Sequence, residues 1–397
     1  MADTYGITRI AEPSFNAAYN LKKIILLIGP RQIGKTTFLR QLAGKGQHVL
    51  SLNCDDSDDV FMLEEKSSSE LRKLLFGYDY VFIDEAQRIK NVGLVLKKIG
   101  DLHLDSKIFV TGSSSFDLAG SSNEPATGRI MQYKFYPLST QEMIFHTDER
   151  EERRMLENRL IYGMYPEVVT HLGYAREILS NIIENYLYKD IPAFGGIKKS
   201  DLLQKLVRAL AFQVGSEVSY NELANMLGVD KETVENYINL LEKVFVVFRL
   251  DSYSRNLRNE IKKGKKIYFY DNGIRNAAIN NFSPLETRND VGILWENFII
   301  MERQKRKALL NDYSHSFFWR THSQQEIDYL EEGDGKLSAY EFKYNPKAKS
   351  KIPPAFAKAY PDAHYEVVNK ENYLDFVLGM AGGEGDIHLS SNSSTSF

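Results

Sequence analysis

A chain of 397 residues with a formal net charge of −3 has room for two or three domains but no polybasic character, so any nucleic-acid surface must be a local patch. Its one cysteine, Cys54, excludes an internal disulfide framework and a cysteine-based metal centre. No apolar run approaches the roughly 20 residues of a membrane helix, and Met-Ala-Asp-Thr-Tyr-Gly is not the start of a secretory leader, so a cytoplasmic protein with no membrane partner is expected.

From 21 to 140, apolar runs at 24–28, 48–52, 79–83 and 107–111 alternate with helical patterns, which predicts an α/β sheet with helices on its faces. The first run leads into Gly29-Pro30-Arg31-Gln32-Ile33-Gly34-Lys35-Thr36, followed by Thr37. The spacing G-x-x-x-x-G-K-[ST] at the exit of a buried strand is that of a phosphate-binding P-loop. Its glycines permit a tight turn that aims backbone N–H groups at phosphate oxygens. Lys35 would reach the β/γ-phosphates, and Thr36 would ligate Mg²⁺. A helix opening near Thr36 adds its positive dipole end. A nucleoside triphosphate is therefore the expected ligand, with residues 29–37 as its cradle.

The third run, Asp79-Tyr80-Val81-Phe82-Ile83, ends in Asp84-Glu85, forty-nine positions beyond Lys35. A buried strand ending in paired carboxylates, expected beside the P-loop strand, is a Walker B arrangement: Asp84 for the metal, Glu85 to polarise the attacking water. The fourth run ends in Gly112-Ser113-Ser114-Ser115. Ser113 is the candidate for a hydroxyl sensing the γ-phosphate, with Thr111 behind it. An ordinary polar turn is the plainer alternative. Arg129, after Gly128, is placed to act as a finger on a neighbouring subunit's γ-phosphate, which implies a homo-oligomer, or to be a solvated arginine.

Residues 150–213 read as helical, with an amphipathic stretch at 176–188. Ser219-Tyr220-Asn221-Glu222, Gly228 and Asp230 punctuate two short helices over 219–243, followed by the strand-like 244–248. The second helix exposes Glu232, Glu235 and Glu242 against Lys231 and Lys243, a poor face for DNA phosphates, so a structural winged helix is favoured over a DNA reader. Two basic clusters follow. Arg255, Arg258, Lys262, Lys263, Lys265 and Lys266 stand against Glu260 alone, and Arg303, Lys305, Arg306 and Lys307 form the second. They are solvated faces or a contact for DNA or RNA.

Beyond 265 the pattern is again mixed α/β: strands at 266–270, 316–320, 326–330 and 337–343, and a helix at 290–308. Alternation places Glu341 and Lys343 on one strand face, and Asp328, 13 positions earlier, can lie on the adjacent hairpin strand. Two carboxylates and a lysine on one face suit a Mg²⁺ with an activated water, though charged alternation is also normal on a half-exposed strand. From Gly382 the Gly/Ser/Asn-rich composition predicts a disordered tail.

Together, blocks 29–37, 81–87, 110–114, 128–129, 136–139 and 188–191 resemble the AAA+-type ATPases, near the archaeal-ATPase and STAND branches, that carry a C-terminal domain of unknown function. Where relatives have Gly-Gly-x-Pro-Glu in the helical lid, this chain has Gly163-Met164-Tyr165-Pro166-Glu167. The resemblance implies adenine as the base. Asp328, Glu341 and Lys343, with Glu296 in the preceding helix, resemble the PD-(D/E)xK nuclease set, which implies a metal site at Glu296, Asp328 and Glu341 and catalysis through Asp328, Glu341 and Lys343. The expected organisation is a P-loop parallel-sheet ATPase core over 1–145 and a helical lid with winged helix over 146–255. A mixed α/β nuclease-like domain over 256–381 and the tail over 382–397 complete it. The expected function is an ATPase switch or motor, using ATP and Mg²⁺, that controls a nucleic-acid-binding nuclease-like domain. The alternatives are a non-catalytic ATP-dependent regulator and a transcription regulator acting through 219–243.

Overall fold

The apolar runs of the N-terminal third become β1 (Ile24–Ile28), β2 (Val49–Asn53), β3 (Tyr80–Asp84) and β4 (Lys107–Gly112), joined by β5 (Ile130–Lys134). These come from a computed structural model describing residues 6–112, 128–190, 200–254 and 264–379, without the side chains of residues 186, 189, 190 and 200. All pairings in this five-stranded sheet are parallel, in the order β2-β3-β4-β1-β5. Alternation within β1 sends Ile25 and Leu27 to one hydrophobic cluster and Ile24, Leu26 and Ile28 to another, so the strand is buried on both faces. Two expectations change. β3 does not adjoin β1, because β4 lies between them; strand order is set by crossovers that a linear pattern does not reveal. β5 was not expected: as an edge strand with half-exposed residues it has no continuous apolar run.

Strand order reverses about β1. The chain runs from β1 toward the β2 side, then from β4 across β1 to β5, leaving a crevice at the carboxyl ends of the strands, where α/β sheets bind ligands.

Helices follow, including Thr140–His146, Glu149–Tyr162, Ala175–Asn181 and Ser200–Phe212. The helix-turn-helix forms as Tyr220–Leu227 and Lys231–Lys243. Ser219 Oγ caps Glu222 N at 3.3 Å, Gly228 makes the turn at φ 67°, and Asp230 caps Thr233 N at 2.7 Å. β6 (Val247–Ser252) begins later than the 244–248 run, because Val244 ends the helix and Phe245 turns the chain at φ 59°.

β6 belongs to a second, mixed sheet with β7 (Lys265–Phe269), β8 (His315–Arg320), β9 (Glu326–Gly333), β10 (Lys336–Phe342) and β11 (His364–Val368), ordered β11-β10-β9-β8-β6-β7. A boundary at 255/256 therefore divides one sheet, and the strands after the helix-turn-helix are not a separate wing. A 20-residue helix, Val291–Leu310, crosses this sheet. One hydrophobic cluster runs without a break from Phe15 and Phe109 through Leu160 and Leu206 to Phe269, Trp295 and Phe298. No helix among the described residues is long and apolar enough to cross a membrane. The tail over 382–397 lies outside the described residues.

The basic clusters are not open cationic faces where they are described. Arg303 pairs with Glu331 at 2.6 Å. Lys305 donates to Glu302 at 2.6 Å and Leu138 O at 2.7 Å, and Lys307 donates to Ser314 O at 2.6 Å. Lys266 is 1% exposed. Burial along part of one helix and in β7, with a partner for each of these charges, overrides the solvated-face expectation. Arg255, Arg258, Glu260, Lys262 and Lys263 lie outside the described residues.

Candidate functional site

Gly29 closes β1 where the chain leaving β5 passes overhead; a Cβ there would collide with Phe135 O. The loop turns through Gln32 (φ 62°) and Gly34 (φ 86°), conformations that favour glycine at the second position, and the helix Lys35–Ala43 starts at once. Pro30, Arg31 and the fully buried Ile33 complete the loop, and Thr37 lies in the helix's first turn. Its first N–H groups have no intrahelical acceptor and are available to an anion. Lys35, 4% exposed, donates from Nζ to Gly29 O at 2.9 Å and Pro30 O at 2.7 Å. Burial lowers its pKa to about 8, with Glu85 and Asp84 opposing the shift.

Three strand ends meet beside this lysine. Thr36 Oγ1 donates to Asp84 Oδ2 at 2.6 Å, and Thr111 Oγ1 donates to the other oxygen, Oδ1. Thr111 Oγ1 in turn accepts from Glu85 N at 3.0 Å. Glu85 has a left-handed backbone, φ 53°, and its carboxylate accepts from Gln87 Nε2. A hydroxyl facing a carboxylate is the hard-oxygen pair that, with phosphate oxygens, suits Mg²⁺, so Thr36 and Asp84 fit that ion. Ser113 lies outside the described residues; Thr111 is a hydroxyl that reaches the Asp84 carboxylate. Arg129 is not brought to the P-loop. It stands at the opposite end of β5, paired with Asp101.

Arg9, unmarked by any motif, ties the loop down from behind. Its guanidinium donates to Ile33 O at 2.7 Å, Tyr136 O at 2.8 Å and Glu142 Oε1 at 2.6 Å, and lies 3.9 Å above the Phe135 ring. Glu142 also closes a capping box with Ser139 at the start of Thr140–His146. The long helix docks on the same turn: Glu302 Oε2 accepts from Thr140 N at 2.7 Å, beside the Lys305 bond to Leu138 O. Nearby, Asp271 Oδ2 accepts from Met164 N at 2.7 Å, so the turn at Gly163-Met164 is held by a carboxyl that burial pushes up to about 6.

Six residues before Glu302, the same helix carries Glu296 into the second sheet. The β9–β10 register, Tyr329 opposite Tyr340, sets Asp328 across from Glu341. Asp328 Oδ2 accepts from Phe342 N at 2.8 Å, and Lys343 Nζ donates to Glu341 Oε1 at 2.6 Å. Glu296 Oε1 accepts from Tyr268 OH at 2.6 Å and lies 3.5 Å from Lys266 Nζ. Glu296, Asp328, Glu341 and Lys343 thus converge. Burial raises Glu296 to about 7 and lifts Asp328 and Glu341 above the usual carboxylate range, mutual repulsion adding to the last. Lys266, Tyr268 and Glu326 are members that sequence reasoning missed. The signal was the pair Lys265-Lys266 opening a strand that continues Ile267-Tyr268-Phe269, whose alternation puts 266 and 268 on one face. No group of three His, Cys, Asp or Glu among the described residues is arranged to hold a metal ion.

Residues 21–144 match the family model of an AAA domain, 153–285 that of a domain of unknown function, DUF8612, and 291–380 that of another, DUF4143. An AAA-type domain of the P-loop class therefore makes up the N-terminal part. An uncharacterized protein of Mycobacterium tuberculosis is 26% identical over 340 residues, 84% of this chain and 73% of that protein. Another, from Haemophilus influenzae, is 27% identical over 284 residues, 64% of this chain and 69% of that one. A DNA polymerase III gamma subunit-related protein from Thermotoga maritima, of known crystal structure, is 12% identical at a TM-score of 0.24, covering 59% of this chain and 97% of that chain. That likeness is too low to assign a fold.

Proposed function

We propose that the protein is an ATP-hydrolysing switch whose nucleotide site is mechanically tied to its C-terminal domain. The observation that carries this is the meeting of Lys35, Thr36, Asp84, Thr111 and Glu85 at the carboxyl ends of β1, β3 and β4. Thr36 and Asp84 would hold Mg²⁺, which offsets phosphate charge when bound. Lys35 exchanges two loop carbonyls for the β/γ-phosphates. Glu85 takes the proton of the attacking water, and Thr111 fixes the Asp84 carboxylate and the Glu85 main chain by bonding Asp84 Oδ1 and the Glu85 amide. A calorimetric titration of the full chain with ATP and Mg²⁺ should show one saturable site; folded protein that takes up neither ATP nor GTP removes the proposal.

Lys35 gives the binding a pH dependence. Burial disfavours its ammonium in the free protein, and phosphate oxyanions restore it, so ATP binding takes up a proton around pH 8. Affinity is fully developed below that pH and falls as pH rises through it, by about tenfold between pH 7 and 9. Calorimetry in two buffers of different ionisation enthalpy reads the proton directly; identical heats at pH 8 would place Lys35 outside the phosphate contact.

The tie to the C-terminal domain is the hydrogen-bond chain from Ile33 O through Arg9, Glu142 and the 138–142 turn to Glu302 and Lys305 of the helix that bears Glu296. ATP with Mg²⁺ is expected to change hydrogen-exchange protection of 296–305, and Lys35→Ala should abolish that change. Equal protection with and without ATP in the wild type would break the tie. ATP-controlled Mg²⁺-dependent cleavage of DNA or RNA through Glu296, Asp328, Glu341 and Lys343 is the competing reading, and nicking that is lost in Asp328→Asn would establish it over a switch without cleavage.

A further inference from the structure

We infer that the ammonium of Lys266 takes the place of a divalent cation in the C-terminal carboxylate cluster, which therefore binds no magnesium and cuts nothing. The inference stands on the second sheet alone and is independent of the P-loop reading.

One oxygen of each carboxylate that a metal would need already has an internal donor. Glu296 accepts from the Tyr268 hydroxyl at 2.6 Å and faces Lys266 at 3.5 Å. Asp328 accepts from the Phe342 amide at 2.8 Å, and Glu341 from the Lys343 ammonium at 2.6 Å. Magnesium demands near-octahedral oxygens at about 2.0–2.1 Å and sheds water reluctantly, so an ion set among these carboxylates would have to displace the Lys266 ammonium from between Glu296 and Glu326. These residues do not fit that ion.

Lys266 cannot swing away. It is 1% exposed, rises from β7, lies 5.3 Å over the Phe318 ring and forms a second, closer pair with Glu326. Glu326 is bound on its other oxygen by Arg320 Nε at 3.5 Å, and Arg320 Nη1 reaches Glu217 at 3.3 Å. The result is a line of alternating charge: Glu217, Arg320, Glu326, Lys266, Glu296. A buried ion pair extended in this way is satisfied as it stands, whereas removing one member leaves a neighbour unpaired. The line fastens the long helix to β7, β8 and β9, a locking role rather than a hydrolytic one. A non-cleaving output domain follows.

The probe is Mn²⁺ alone, followed by electron paramagnetic resonance on the nucleotide-free full chain. Wild type and Asp328→Asn should titrate identically, since any Mn²⁺ at the P-loop is common to both. The charge-balanced double variant Lys266→Met/Glu326→Gln should gain a site about tenfold or more tighter than any in wild type, lost again when Asp328→Asn is added. Sub-millimolar Mn²⁺ uptake by wild type that disappears in Asp328→Asn overturns the inference. So does a folded double variant that gains no site. Should that variant fail to fold, the wild-type comparison still decides.

Discussion

Glu85→Gln protein is expected to bind ATP as the wild type does and to turn it over roughly 10²–10⁴-fold more slowly, the range for removing a general base. The substitution keeps shape and removes only basicity. The backbone of Glu85 is fixed by Thr111 Oγ1 at 3.0 Å, and the strained φ of 53° belongs to the main chain, so Gln occupies the same place. Its amide oxygen can still accept from Gln87, but it cannot take a proton from water. Lys35→Ala should fail differently, at binding, because it removes the buried ammonium proposed to meet the phosphates. Single-turnover phosphate release set beside the calorimetric Kd separates the two failures. Unchanged turnover in Glu85→Gln would reduce Glu85 to a residue that merely opens the short helix Ala86–Arg88.

What could be read from the sequence was what repeats locally or carries a motif. β1, β3 and β4 are buried over most of their length, so each appears as an uninterrupted apolar run, and the P-loop is legible because spacing, strand and helix coincide. β9 and β10 were readable by alternation, which put Glu341 and Lys343 on one face; the register that sets Asp328 across from Glu341 is seen in the structure. Two of the edge strands were not: β5 and β11 are half-exposed and contain no sustained pattern. Strand order escaped for a different reason, since neither the position of β4 between β1 and β3 nor the membership of β6 in the second sheet depends on nearby residues. Charge misled most. Lys266, Lys305 and Lys307 look like solvated basic runs because their partners, Glu296, Glu326, Leu138 O and Ser314 O, are remote in sequence or on the backbone. Arg9 was silent for the same reason, its acceptors lying 24 to 133 positions away.

That silent arginine carries the other large effect. Arg9→Met should destabilise the chain by about 3–5 kcal/mol, the range for breaking one side of a buried ion pair. The Arg9 and Glu142 side chains are only 7% and 3% exposed, and loss of the guanidinium strands the carboxylate with Ile10 N, Ser139 N and Ser139 Oγ. Two backbone acceptors, Ile33 O and Tyr136 O, lose their donor as well, and the Phe135 ring loses its cation. Ile33 lies within the phosphate loop, so ATP affinity should fall with stability. Glu142→Gln makes the contrast. It removes the charge but spares the Arg9 bonds to Ile33 and Tyr136, so it should lower the denaturation midpoint while ATP affinity stays within about twofold of wild type. Denaturant melts and ATP titrations of both variants, with the double variant closing the cycle, apportion the terms. If Arg9→Met bound ATP as tightly as wild type, the loop would hold its shape unaided. The hydrogen-bond route to Glu302 and Lys305 would then fail at its first link, and nucleotide could reach the C-terminal domain only through the shared hydrophobic core.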